Sequence, residues 1–185
     1  MTRRIHPSVV GAQPFQVATR EGIESPMFEG GEGLERLEMA LSRYPTKQAA
    51  LLPLLHFVQE KKGWVSPPDM EEVATALDLT PAYVHSIVTF YTMYNKHPVG
   101  TYLVQVCTCI ACHLNKGEEV LHRFLDEAGT REGETSEDGV FTVIEAECLG
   151  ACGFATAVQI NDEYFEDVSP EKVADIVGEL RRRSV

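Results

Sequence analysis

Apolar positions along the chain change period near residue 100, and that change divides the sequence into two textures. From Leu34 to Tyr91 they recur at three and four, the spacing of one helix face. Leu34, Leu37, Ala40 and Leu41 form the first such stripe, which Tyr44-Pro45 stops. Leu51, Leu55 and Val58 define a second helix from about Lys47 to Lys62, with Gly63 as its stop. Pro53 falls inside that span, so either the first turn starts late or the helix kinks there. Ser66-Pro67 with Asp69 reads as an N-cap, a proline at the first helical position and a capping-box partner. Val73, Ala76 and Leu77 supply the third helix's buried face. Thr80-Pro81 opens a fourth, carrying Val84, Ile87, Val88 and Tyr91. These helices predict a small bundle.

After Val99-Gly100-Thr101 the pattern becomes strand-like. Tyr102 to Val106 and Phe141 to Ala146 read as strands, separated by a helix from about Asn115 to Glu127 and a polar, turn-rich run from Gly129 to Gly139. Ala157 to Ile160 reads as a third strand, Asn161-Asp162 as a hairpin turn into Tyr164-Phe165. Ser169-Pro170-Glu171 opens a last helix to about Arg182, with Val173, Ile176, Val177 and Leu180 facing inward. Strand, helix, strand, strand, helix is a compact α/β unit like a reduced thioredoxin fold. The fold class expected for the chain is therefore α+β: a helical bundle over 33–98 followed by a thioredoxin-like α/β domain over 99–185. Residues 1–32 are rich in glycine and proline without an apolar period and read as a flexible N-terminal arm, either a tail or a segment lying on a partner.

The chemistry is concentrated in the second texture. All five cysteines of the 185 residues lie in two short runs, each directly after a strand. The first gives Cys107-x4-Cys112 with Cys109 inside it; the second gives Cys148-x3-Cys152. Two thiol-bearing loops at strand ends can face one cavity, where four thiolates make a metal site. Spacing alone leaves three readings open. Four cysteines can bind zinc tetrahedrally, although structural zinc favours tighter knuckles than these loops. Cys109-Ile110-Ala111-Cys112 is a C-x-x-C between strand and helix, the position of a redox dithiol, which leaves Cys107, Cys148 and Cys152 without work. A [2Fe-2S] cluster takes four thiolates, and ferredoxins also use a C-x4-C pair.

Charge and hydropathy narrow the classes. The third and fourth helices have the outline of a helix-turn-helix, but no Arg or Lys stands between Pro81 and Asn95. The net charge of −12 would oppose nucleic acid. The N-terminal residues lack the apolar run of a secretory signal, and no stretch approaches the roughly 20 apolar residues that span a bilayer. Both point to a cytoplasmic chain with reduced thiols and no membrane insertion. No Gly-rich dinucleotide fingerprint is present, so a dinucleotide site is not expected in this chain.

Cys107-x4-Cys112 with Cys148-Leu149-Gly150-Ala151-Cys152 resembles the thioredoxin-like [2Fe-2S] ferredoxin family. Within it, the chain is similar to the 24 kDa type of subunit of NADH:quinone oxidoreductase, respiratory complex I. That likeness takes in Ala50-Leu51-Leu52-Pro53-Leu54-Leu55, Gly63-Trp64, Thr89-Phe90-Tyr91 with Tyr94, Asp138-Gly139 and Val158-Gln159-Ile160-Asn161-Asp162. It runs from about Leu34 to the C-terminus. The resemblance implies one [2Fe-2S] cluster on Cys107, Cys112, Cys148 and Cys152, with no catalytic residue in the chain itself. It implies one-electron exchange with FMN in an adjacent flavoprotein subunit that also binds NADH, and contact with the large iron–sulfur subunit. Such a chain is part of an NADH dehydrogenase, without catalysis when isolated, in the peripheral arm on the cytoplasmic face. The alternative is the equivalent diaphorase subunit of an NAD-linked hydrogenase or formate dehydrogenase. Two positions depart from the family pattern. Cys109 stands where a small polar residue is usual, and Ala155-Thr156 stands where many relatives have Ala-Pro.

Overall fold

Residues 27–184 are described by the computed structural model, so the expected arm over 1–32 lies almost wholly outside the described residues. The chain divides into two units, Met1–Pro98 and Val99–Val185. In the first unit, α1 (Gly31–Arg43) starts three residues before its apolar stripe, and its first-turn Glu32 pairs with Lys61 at 2.6 Å. A carboxylate there suits the positive end of the helix dipole. Leu41, expected on the inner face, is 39% exposed, and Ala40 is buried beside it.

A 3-10 turn over Gln48–Ala50 leads into α2 (Leu51–Lys62). Pro53 therefore falls in the first α-helical turn, where an N–H has no intrahelical acceptor and its loss costs nothing. The late start, not a kink, accommodates it. Gly63 ends α2 with φ 79°, the left-handed conformation that suits glycine, and its N–H donates to Gln59 O at 2.7 Å.

The helix α3 (Pro67–Leu77) carries the expected capping box between Ser66 and Asp69. Asp69 is only 2% exposed, and its carboxylate accepts from Ser66 N–H at 2.9 Å, from the Ser66 hydroxyl and from the Lys62 ammonium. A buried carboxylate is tolerable only with such a full set of donors. Thr80 caps α4 (Pro81–Phe90), accepting from Tyr83 N–H at 3.3 Å.

Leu51, Leu54, Leu55, Val58, Val73, Leu77, Val84 and Val88 form the buried centre of this bundle. The aromatic run that ends it divides. Tyr94 is 1% exposed, whereas Phe90 is 76% and Met93 44% exposed. Tyr94 closes the bundle by donating its hydroxyl to Leu52 O at 3.1 Å, while Gln59 accepts from Asn95 N–H at 2.6 Å and donates to Met93 O at 2.8 Å.

The second unit is built on one mixed sheet. Its strands are β1 (Tyr102–Cys107), β2 (Phe141–Ala146), β3 (Val158–Ile160) and β4 (Glu163–Phe165), in the order β2-β1-β3-β4. β1 and β2 are parallel, with Tyr102 opposite Phe141 and Cys107 opposite Ala146. β3 runs antiparallel to β1 and β4 antiparallel to β3, the turn falling at Asn161 (φ 52°) as the sequence predicts. Asn161 also ties this turn to β1, accepting from Leu103 N–H at 2.8 Å and donating to Thr101 O at 3.0 Å.

The helix expected from about Asn115 to Glu127 is present as the sixth, and a short helix that the sequence did not suggest precedes it. α5 (Ile110–Leu114) is a short helix, and α6 (Gly117–Ala128) begins after Lys116 turns the backbone left-handed at φ 67°. The last helix, α7 (Val173–Arg183), follows a 3-10 turn over Pro170–Lys172. Val120, Phe124, Val173 and Val177 cover Val104, Val106, Phe141, Val143 and Val158 to form the core of this α/β unit. The α+β architecture expected from the sequence is the observed one.

Burial pushes the Tyr94 phenol up to about 12. In the unfolded chain it ionises near 10, so the folded state holds a proton that the unfolded state has lost between these values. Its contribution is complete below pH 10 and disappears as pH rises toward 12. Wild type should lose about 2–3 kcal/mol relative to Tyr94→Phe across that window. At pH 7 the substitution should cost about 1 kcal/mol through the lost hydrogen bond. Urea unfolding followed at Trp64, the single tryptophan, measures both.

Candidate metal centre

Parallel pairing places the ends of β1 and β2 side by side, and each strand runs straight into a cysteine loop. Cys107 is the last residue of β1, next to Ala146, the last of β2. The two loops therefore leave the sheet at the same edge, the carboxyl end of adjacent parallel strands where open α/β sheets place their ligands. Thr108 N–H donates to Ala146 O at 3.1 Å and so carries the pairing one residue into the first loop.

That loop turns at once into α5. Cys109 is its N-cap and Cys112 its third residue, with His113 N–H donating to Cys109 O at 2.8 Å. The turn folds Cys112 back onto Cys107. Both are buried, at 1% and 2% exposure, around fully buried Ala157. Leu149, Ala151 and Ala155 of the second loop and the partly exposed Cys109 pack on this patch. In the second loop, Cys148 and Cys152 are exposed, Cys152 opening a 3-10 turn over Cys152–Phe154. Gly150 N–H donates to Cys148 Sγ at 3.4 Å, with Gly150 at φ 73°.

Burial pushes the Cys112 thiol above its ordinary value, the hydrogen-bonded Cys107 thiol and nearby Cys152 act in the same direction, and a hydrogen bond from Ala157 N–H opposes them. Thiolate charge in so enclosed a place needs a cationic partner. Two more carboxylates stand close in sequence: Glu145, which accepts from the Thr108 hydroxyl, and Glu147, both exposed.

The structure therefore brings together Cys107 and Cys112 in one buried cluster and leaves Cys148 and Cys152 exposed on the second loop. Among the described residues, no three His, Cys, Asp or Glu side chains gather as a single metal ion requires. One zinc ion needs its sulfurs about 2.3 Å from one point. The donors here instead come two to a loop, one pair buried and one exposed. Such a set, all thiols and no imidazole or carboxylate, fits a binuclear iron–sulfur group with two thiolates per iron.

Two features of the site were not expected from sequence. The Ala157 backbone contacts both buried cysteines, since its N–H reaches Cys112 and its oxygen accepts from Cys107 N–H at 3.1 Å. The Thr156 side chain is 1% exposed, and its hydroxyl donates toward Asn115 O at 2.8 Å and Cys112 O at 3.4 Å. The peptide bond between Ala155 and Thr156 is cis.

With this geometry in place, similarity to known proteins is informative. Residues 37–181 match the thioredoxin-like [2Fe-2S] ferredoxin family. A subunit of the NADH-quinone oxidoreductase of Rickettsia bellii (strain RML369-C) is 39% identical over 153 residues, covering 81% of this chain and 92% of its own. The NADH-quinone oxidoreductase subunit of the same type from Mycobacterium tuberculosis (strain ATCC 25618 / H37Rv) is 40% identical over 152 residues, covering 80% of this chain and 60% of its own. An NAD+-reducing [NiFe]-hydrogenase in the air-oxidized state superposes with a TM-score of 0.63 at 17% identity, over 72% of this chain and 23% of the hydrogenase chain. That similarity is one of fold.

Burial orders the thiols of the metal-free chain. Under limiting iodoacetamide at pH 8, Cys148 and Cys152 should alkylate first and Cys109 next. Cys107 and Cys112 should lag the exposed pair by about tenfold or more, since only accessible thiolate reacts. Peptide mass spectrometry over time reads the order.

Proposed function

We propose that this chain, which belongs to the thioredoxin-like [2Fe-2S] ferredoxin family, is the electron-transfer subunit of the NADH dehydrogenase part of respiratory complex I. It carries one [2Fe-2S] cluster, held by Cys107, Cys112, Cys148 and Cys152. The observation that carries the reading is the pair of two-thiol loops leaving one sheet edge side by side, in a chain about two-fifths identical to subunits of NADH-quinone oxidoreductases.

When bound, a [2Fe-2S] cluster takes up and returns one electron at a time. The chain's own residues do the rest. Cys107 and Cys112 hold from the buried side, while Cys148 and Cys152 hold from the exposed side. Ala157 N–H and Gly150 N–H each donate to a ligand sulfur, which withdraws charge and raises the potential. The exposed carboxylates of Glu145 and Glu147 oppose that effect.

The chain works within a complex of several polypeptides. Its specific partners, as proposed, are the FMN- and NADH-binding flavoprotein subunit and the large iron–sulfur subunit, in the peripheral arm on the cytoplasmic face. Ile110 and Leu114, on the helix that carries Cys112, are 76% and 77% exposed, and Phe154, two residues past Cys152, is 52% exposed. Apolar side chains so exposed beside a redox site suit a docking face. No described helix is long and apolar enough to cross a membrane, so contact with the membrane arm would run through other subunits. The diaphorase subunit of an NAD-linked hydrogenase is the second reading. It has the hydrogenase fold similarity behind it, whereas the relatives near 40% identity favour complex I.

Anaerobically purified protein should contain two irons and two acid-labile sulfides per chain. NADH should leave that centre oxidised in the isolated chain and reduce it once the flavoprotein subunit is added. Stoichiometric zinc without labile sulfide contradicts the cofactor, and reduction by NADH without a partner contradicts the division of labour.

Cysteine variants separate the ligands from the bystander. Cys109→Ser should keep the iron content and visible spectrum, whereas Cys107→Ser should lose most of the iron, because a hydroxyl replaces a thiolate poorly. The reverse pattern would move the ligand to Cys109.

A further inference from the structure

We propose that Thr156 is a positioning residue of the cysteine site, its buried hydroxyl fixing the backbone that presents Cys112. The inference rests on the cluster reading above and concerns this chain's own residues.

α5 has five residues, so its last carbonyls lie beyond the reach of its own N–H groups. Asn115 N–H returns to Ala111 O at 3.2 Å and Cys112 O at 3.0 Å, and the chain then turns at Lys116 into α6. Thr156 supplies the donor from outside this turn. Its hydroxyl lies 2.8 Å from Asn115 O and 3.4 Å from Cys112 O, forty-one and forty-four positions away along the chain.

The brace is itself anchored. Thr156 O accepts from Val168 N–H at 3.0 Å, and the next residue, Ala157, holds Cys107 N–H through its oxygen. Thr156-Ala157 thus reaches the backbone of both buried cysteines from a point only four residues past Cys152. No slack is available on the far side. A Cβ added at Gly117 would lie 2.8 Å from Cys107 O and 2.9 Å from Cys112 O, so α6 already sits against the same backbone.

A buried hydroxyl is costly to leave unpaired, which fixes its orientation once the threonine is in place. Replacing it by a methyl of the same shape would keep the packing and leave the carbonyls of Asn115 and Cys112 without this donor. The ligand-bearing turn would then be held by its own short-range bonds alone.

The test compares wild type with Thr156→Val, which keeps the shape without the hydroxyl, and Thr156→Ser, which keeps the hydroxyl. Thr156→Ala replaces the valine variant if that chain does not fold. In the metal-free protein, hydrogen exchange at the amides of His113, Asn115 and Lys116 should quicken about tenfold or more in Thr156→Val and return near wild type in Thr156→Ser. Amides of β1 should change little. In the iron-loaded protein, the visible circular dichroism and EPR line shape should alter in Thr156→Val, and iron release to a chelator should quicken about tenfold, with both restored by Ser.

Thr156→Val matching wild type in exchange, spectrum and release would overturn the proposal. Failure of Ser to restore them would overturn it too. Wild type binding no iron–sulfur group would instead overturn the cluster reading, and exchange in the metal-free chain would still decide whether the hydroxyl holds the turn.

Discussion

Parallel pairing of β1 with β2, in register from Tyr102 and Phe141 to Cys107 and Ala146, is the constraint on which the site depends. Parallel neighbours point the same way, so whatever follows each of them emerges at one edge of the sheet. Here that is a cysteine loop in both cases. Had the strands run antiparallel, the loops would leave at opposite ends and no four-thiol site would form. The register matters as much as the direction. A slip of one residue would exchange the faces of every side chain on β1 and take Val104 and Val106 out of the core. The packing of α6 and α7 on Val104, Val106, Phe141 and Val143 therefore also sets where Cys107 stands.

The thiols at that edge are unlike in surroundings, and the difference follows from the backbone. The tight turn through Cys109 into α5 folds Cys112 inward onto Cys107 and Ala157, whereas the loop through Gly150 holds Cys148 and Cys152 outward. One pair is thus embedded in protein and the other faces solvent or a partner. For a centre that only passes electrons, this arrangement is useful. In the proposed centre the buried side would fix the group, and the exposed side would give a short path to a donor outside the chain. Backbone N–H groups of Ala157 and Gly150 beside the sulfurs would moderate the negative charge that four ligand thiolates, as proposed, and the neighbouring carboxylates would place there.

Much of this was legible in the sequence, for physical reasons that particular residues illustrate. Ser66-Pro67-x-Asp69 and Thr80-Pro81 announce helix starts through hydrogen bonds only two or three residues long, and both caps are present. The alternation around Val104 and Val106 and the turn at Asn161 are equally local signals. α5 was not legible, because five residues contain too little periodicity to stand out from the cysteine loop ahead of the expected helix. Lys116 gives no sign of its left-handed conformation, which depends on α6 seating against Cys107 and Cys112 through Gly117. For the candidate site, the spacing of the cysteines and their strands could be read, but the unequal burial of the two pairs could not. Thr156 stood out in the sequence only as a missing proline. Its hydrogen bonds reach residues some forty positions earlier, and nothing local records a contact of that range.

The central claim is that two loops at one sheet edge supply two thiolates each to a two-iron group. Anomalous diffraction at the iron edge, from crystals of anaerobically purified protein, tests it at the atoms concerned. Two adjacent iron peaks are expected, one bonded to the sulfurs of Cys107 and Cys112 and the other to those of Cys148 and Cys152, with Cys109 outside bonding distance of both. A single metal peak, or an iron bonded to Cys109 in place of Cys107, would contradict it.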